Sequence, residues 1–140
     1  MSSHFSFRGV ATALVTPMLP GGDIDEPALR RLVDYQISNG VHAVVPCGTT
    51  GESATLNHAE HHHVMDVVVS QTAGRVPVII GAGSNATREA ISLTQHARAI
   101  GASAVLSIAQ FGSTRSINAG AAAAIAMHAW IRRHAFGQRP

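Results

Sequence analysis

"VPVIIGAGSNATREAISLTQHARAIGASAVLSI", Val76 to Ile108, reads as strand, helix and strand in immediate succession. Val76 to Ala82 is an unbroken apolar run, the pattern of a parallel strand buried on both faces. Asn85 or Thr87 opens a helix that places Ala90, Leu93, Ala97 and Ile100 on one face and stops at Gly101. Ala102 to Ile108 is then a further strand. A helix between two strands of this kind is a crossover, and a crossover returns the chain parallel to its first strand.

The same unit recurs upstream. Gly9 to Pro17, "GVATALVTP", is a β-rich run closed by proline and by the turn residues "PGGDID". Asp25 then caps a helix with Glu26 and Pro27 in its first turn, and Leu29, Leu32, Val33 and Ile37 repeat at helical spacing until Asn39 and Gly40 end it. His42 to Cys47 is the second apolar run. Asn57 with Glu60 three residues later forms a capping-box signature before Val64, Val67 and Val68. Strand starts near residues 9, 42, 76 and 103 give a regular βα repeat. Two architectures accommodate that repeat, a doubly wound sheet and part of a (β/α)8 barrel. The first strand is followed by "TPMLPGGD" instead of G-x-G-x-x-G, and "GAGSN" after the third is only a loose glycine-rich match, which favours an incomplete barrel of about four βα units.

The 140 residues, 46% hydrophobic, suffice for one cored domain. From Ala109 the pattern breaks, so the chain divides into a barrel-like body at 1–109 and an alanine- and arginine-rich tail at 110–140, with a helix expected from about Ala119 to His134. Every basic residue is arginine and lysine is absent. The body carries six arginines and all eight acids, the tail four arginines and no acid, so the net +2 originates in the tail. No basic stripe with interleaved aromatics runs through the body, which argues against a nucleic-acid surface. The tail's apolar run is too short to span a bilayer, and the chain is read as not membrane-bound. Arg8 precedes a short apolar segment that lacks a small-residue cleavage pattern, so a first strand is the better reading than a signal peptide. The single cysteine, Cys47, excludes an internal disulfide and suits a reducing, cytoplasmic compartment.

In a parallel barrel, ligands sit at the C-terminal ends of strands, where "CGTTGES" (Cys47 to Ser53) and Gly81 to Asn85 fall. Thr49 and Thr50 each offer a backbone N–H and a hydroxyl to a carboxylate; from spacing alone "GTTG" is equally a tight turn. "EHHH" invites a metal reading. On a helix, however, His61, His62 and His63 point about 100° apart, and neither H-E-x-x-H nor a cysteine partner accompanies them. His58 and His61 share a helix face. Cys47, ending an apolar strand, reads as a small buried side chain.

"GVATALVTPM", "GTTGESATLNHAEH", "RVPVIIGAGSNAT" and "AISLTQHA" resemble the N-terminal half of the dihydrodipicolinate synthase family, within the pyruvate-dependent, Schiff-base-forming aldolases that include N-acetylneuraminate lyase. The likeness runs from about Phe7 to Ile108, and "GTTGES" with Glu60 seven residues after Ser53 is its most specific element. The resemblance implies a cofactor-free, cytoplasmic lyase of lysine and diaminopimelate biosynthesis that condenses pyruvate with L-aspartate 4-semialdehyde. It implies that Thr50 and adjacent backbone hold the pyruvate carboxylate, with Thr49 joining two tyrosines in a proton relay. It also implies a lysine effector site at Ser53, Ala54, His58, His61, Asn85 and Glu89, and homotetramers.

The departures matter as much. The family's relay tyrosines would fall among Gln110, Phe111 and Gly112, and the imine-forming lysine has no counterpart in the chain. Arginine stays protonated and delocalised and cannot replace it. The expectation is a truncated or misread family member that is inactive alone and, as an open barrel, prone to self-association. The competing expectations are a non-catalytic partner or lysine-binding fragment, and a remnant of a related aldolase such as N-acetylneuraminate lyase or a 2-keto-3-deoxy sugar acid aldolase.

Overall fold

The computed structural model describes residues 7–106. The tail at 110–140, its expected helix, Gln110 to Gly112 and the last two residues of the fourth strand lie outside the described residues.

The order of elements is β1 (Ala11–Ala13), α1 (Glu26–Ser38), β2 (Ala43–Val45), α2 (His58–Thr72), β3 (Ile79–Gly81), α3 (Thr87–Ala99) and β4 (Ala104–Leu106). β1 pairs with β2 and β3 with β4, both parallel and both through three register pairs. A single parallel bridge, Val44 to Val78, joins β2 to β3. Strands therefore lie side by side in chain order. α1 packs on α2 and α2 on α3, so successive helices share one face of the sheet. A doubly wound sheet reverses its strand order and places helices on both faces; chain order with helices on one face is the wall of an α/β barrel.

The regular ladders are shorter than the apolar runs that produce them. Prolines explain much of this, since Pro46 and Pro77 carry no N–H and enter the β2–β3 contact as acceptors only. Val44 N donates to the Pro77 carbonyl at 3.1 Å and Gly81 N to the Pro46 carbonyl at 3.0 Å. Just beyond those two bonds the two backbones approach very closely. A Cβ at position 81 would lie 2.7 Å from the Cys47 carbonyl carbon and 2.9 Å from Gly48 N, so only glycine fits.

Helix ends follow local chemistry in two of three cases. Asp25 Oδ1 accepts from Ala28 N at 2.9 Å with Pro27 in the first turn, and Asn39 caps the far end before Gly40 turns at φ +83°. In α2, Asn57 Oδ1 accepts from Glu60 N at 3.0 Å while Glu60 Oε2 accepts from Asn57 N at 2.8 Å, a complete capping box. α3 opens at Thr87, one of the two residues the sequence offered, but neither Asn85 nor Thr87 caps it with a side chain; Ala86 occupies the N-cap with no side-chain bond. Ser84 Oγ takes the Ala86 N–H at 3.1 Å instead, two residues upstream.

The core lies between sheet and helices. Leu29 and Val33 of α1, Val64, Met65 and Val68 of α2, and Leu93 and Ala97 of α3 close over Val44, Val78 and Ile80. Replacing Leu29, which is 0% exposed, by alanine should cost about 2–5 kcal/mol. Tyr35→Ala on the same helix, at 62% exposure, should stay within about 0.5 kcal/mol. Urea unfolding of both variants measures the difference. By the same assay Gly81→Ala should lose about 1–3 kcal/mol, because the obstructing atoms are backbone and cannot rotate away.

Candidate functional site

β1, β2 and β3 end beneath one turn. After Pro46, Cys47 takes a left-handed φ of +56°, which swings the chain off the strand and over the barrel end. Gly51 N donates to the Gly48 carbonyl at 3.0 Å and Glu52 N to the Thr49 carbonyl at 3.1 Å, closing the turn. From the segment after β1, Thr16 reaches across 35 positions of sequence to donate its Oγ1–H to the Gly51 carbonyl at 2.7 Å. That bond is buried. Gly51 is also tightly placed, though less so than Gly81, since a Cβ there would stand 3.0 Å from the Leu14 carbonyl oxygen.

With its underside tied down, the turn presents Thr49 and Thr50 outward, both exposed. Two hydroxyls and small-residue backbone at the C-terminal end of a parallel strand make a polar surface without a cation, suited to receiving a small carboxylate through hydrogen bonds. Cys47 contributes no nucleophile. Its Sγ lies 3.8 Å from the His61 carbonyl, and burial pushes the thiol up to about 12, so it stays protonated.

The consecutive histidines diverge as helical geometry requires. His61 Nε2 meets the Gly81 carbonyl at 3.1 Å, and since a carbonyl only accepts, that nitrogen carries the proton. Burial, ahead of its neighbours' charges, lowers the His61 pKa and keeps the ring neutral. His62 turns towards α3, and His63 Nε2 sits 3.0 Å from Glu26 Oε2 of α1. Among the described residues no three His, Cys, Asp or Glu side chains are placed to hold a metal ion.

A second site lies at the start of α3. His58 Nδ1 stands 3.6 Å from Glu89 Oε1 and His58 Nε2 3.3 Å from Ser92 Oγ. Ser84 Oγ donates to Glu89, and this bond, followed by the neighbouring His58, holds the Glu89 carboxyl below the usual range. An open depression is lined by His58, Ala86, Thr87, Arg88, Glu89 and Ser92. Of the residues expected there, His58 and Glu89 come together, while His61 is buried on the β3 side. Ser53 is half-buried, and Ala54 and Asn85 are exposed; none of the three lines the depression. Ser84, Arg88 and Ser92 were not singled out by sequence, nor was Thr16, whose partner Gly51 lies 35 residues away in the turn after β2.

Residues 6–118 match the model of the dihydrodipicolinate synthetase family. The 4-hydroxy-tetrahydrodipicolinate synthase of Syntrophus aciditrophicus is 53% identical over 105 residues, which cover 75% of this chain and 36% of that protein. A chloride-inhibited dihydrodipicolinate synthase from Acinetobacter baumannii, solved with pyruvate, superposes with a TM-score of 0.69 at 42% identity, covering 71% of this chain and 34% of that one. A lysine-bound synthase from Cyanidioschyzon merolae gives 0.67 at 42% identity, again over 71% and 34%. The chain thus spans about a third of the length of the relatives it matches. A family match over residues 6–118 together with this identity settles membership: the chain belongs to the dihydrodipicolinate synthetase family.

Proposed function

We propose that the Cys47–Ser53 turn is the pyruvate-carboxylate cradle of a 4-hydroxy-tetrahydrodipicolinate synthase, a lyase joining pyruvate to L-aspartate 4-semialdehyde through a lysine imine. The observation that carries this reading is the buried Thr16–Gly51 bond, which holds Thr49 and Thr50 outward on a rigid base. The pyruvate-bound relative supports the choice of carboxylate.

Binding and chemistry part company in these residues. An imine requires a positioned, deprotonated primary amine, and the 140 residues contain no lysine. Their only tyrosine, Tyr35, is exposed on α1, so Thr49 has no phenol in the turn with which to relay a proton. These residues by themselves bind pyruvate and leave it unreacted. Whatever amine acts on that pyruvate belongs to another stretch of polypeptide.

A lysine effector is the second reading for the depression beside α3. Glu89, held anionic by Ser84 and His58, supplies a carboxylate for an ammonium group, with Ser92 beside it. The lysine-bound relative supports that ligand. His61 then acts from behind, fixing α2 to β3 instead of touching the ligand.

Titrating isotope-labelled chain with pyruvate should shift the amides of residues 48–51, and Thr50→Val should weaken that response about tenfold. Borohydride added to the same mixture should leave no side-chain adduct in a peptide map. A reduced adduct on an internal residue, or unshifted amides, would refute the reading. Calorimetry with lysine should give heat that Glu89→Gln abolishes; heat that survives this substitution would remove the depression as the effector site.

A further inference from the structure

α2 and α3 face one another across a row of three imidazoles. His58 and His62, one turn apart on α2, have ring centroids 4.4 Å apart. The His62 ring stacks on His96 of α3 at 4.0 Å, with planes inclined by 10°. Each end of the row meets a carboxylate: His96 Nε2 lies 2.7 Å from Asp66 Oδ1, and His58 Nδ1 lies 3.6 Å from Glu89 Oε1. The centre has none. His62 Nε2 is buried and lacks a hydrogen-bond partner.

Metal binding does not explain the row. Stacked rings carry their in-plane lone pairs side by side, so His62 and His96 cannot aim at one ion. A neutral imidazole between two others does account for it: parallel stacking of uncharged rings is favourable, and leaving Nε2 unpartnered costs far less for a neutral ring than for a charged one.

We propose that the His58–His62–His96 row is a pH-controlled latch between α2 and α3, closed while the central imidazole is neutral and opened when it takes a proton. The groups facing His62 are His58, His61 and Asp66 from α2 and His96 from α3, with Glu89 one ring further out. Asp66 is already engaged by His96, so a proton on His62 meets mainly other imidazoles and a partly desolvated surrounding. Burial, then His96, His58 and His61, accordingly holds the His62 pKa below its ordinary 6.5, with Asp66 opposing.

The sign follows from linkage. A histidine with a depressed folded value binds fewer protons folded than unfolded, so its contribution is whole above about pH 6.5 and is lost as pH falls from there through the lower folded value. His61 shifts in the same direction, but its bond runs to β3. Loosening at α3 therefore separates the two. Because His58 lies on α2 and Glu89 and Ser92 on α3, opening the latch also parts the walls of the depression between them.

Amide hydrogen exchange on the full chain from about pH 7.5 to about 5.5, corrected for intrinsic rates, tests the latch. Protection along Ser92 to Ala99 should fall about tenfold more than along α1, with the midpoint that imidazole NMR assigns to His62. His62→Phe retains a flat ring that cannot titrate and should abolish the excess loss. Protection that stays level, that falls equally in His62→Phe, or that follows another histidine's midpoint overturns the proposal. Should His62→Phe fail to fold, His62→Gln makes the same comparison, and the midpoint match in the unaltered chain decides alone.

Discussion

The approach of Gly81 to the Cys47 carbonyl sets the geometry of everything around the turn. Two strands can come this close only where one lacks a Cβ, and here the close point coincides with the place where β2 stops and its chain lifts over the barrel end. Two proline carbonyls accept the bonds that lead up to it, so the β2–β3 contact forms without a full ladder. His61 then seals the outer side by donating to the Gly81 carbonyl. The turn is thereby fixed relative to three strands and one helix before any ligand arrives, and pre-positioning of this kind lowers the ordering cost of binding.

Local patterns carried the fold a long way. The capping box at Asn57 and Glu60, the Asp25 cap and the end of α1 at Asn39 and Gly40 involve residues within a few positions of each other, so sequence alone reveals them. α3 opens at Thr87 as the sequence allowed, but the hydroxyl at its start escaped, because Ser84 supplies it and Glu89 draws it there. The winding of the sheet was legible only by elimination, through a dinucleotide fingerprint that was missing after β1, and strand order decides it directly.

The candidate sites divide along the same line. Thr49 and Thr50 were readable because their glycine-rich surroundings are contiguous with them. The bond that makes their placement rigid was not, since Thr16 and Gly51 are 35 residues apart and nothing about a threonine before a proline announces a clamp. His58 and Glu89 likewise needed the fold to bring α2 against α3. His61 shows the converse, a histidine that helical spacing puts on one face with the exposed His58 and that packing sends inward, because the Gly81 carbonyl offers a buried acceptor within reach.

The absence of lysine has a consequence for electrostatics as well as for chemistry. A cradle built from hydroxyls and backbone N–H groups binds an anion without a compensating cation, so its affinity depends on how fully the surroundings exclude water. Among the described residues, the turn is backed by a dry layer of Leu14, Cys47 and Ala82 below, while Thr49 and Thr50 remain open above. Hydrogen bonds in that half-open setting compete with solvent and hold a carboxylate weakly. On the proposed reading, tight binding and reaction make the same demand: a further surface that closes over the turn and brings an amine with it.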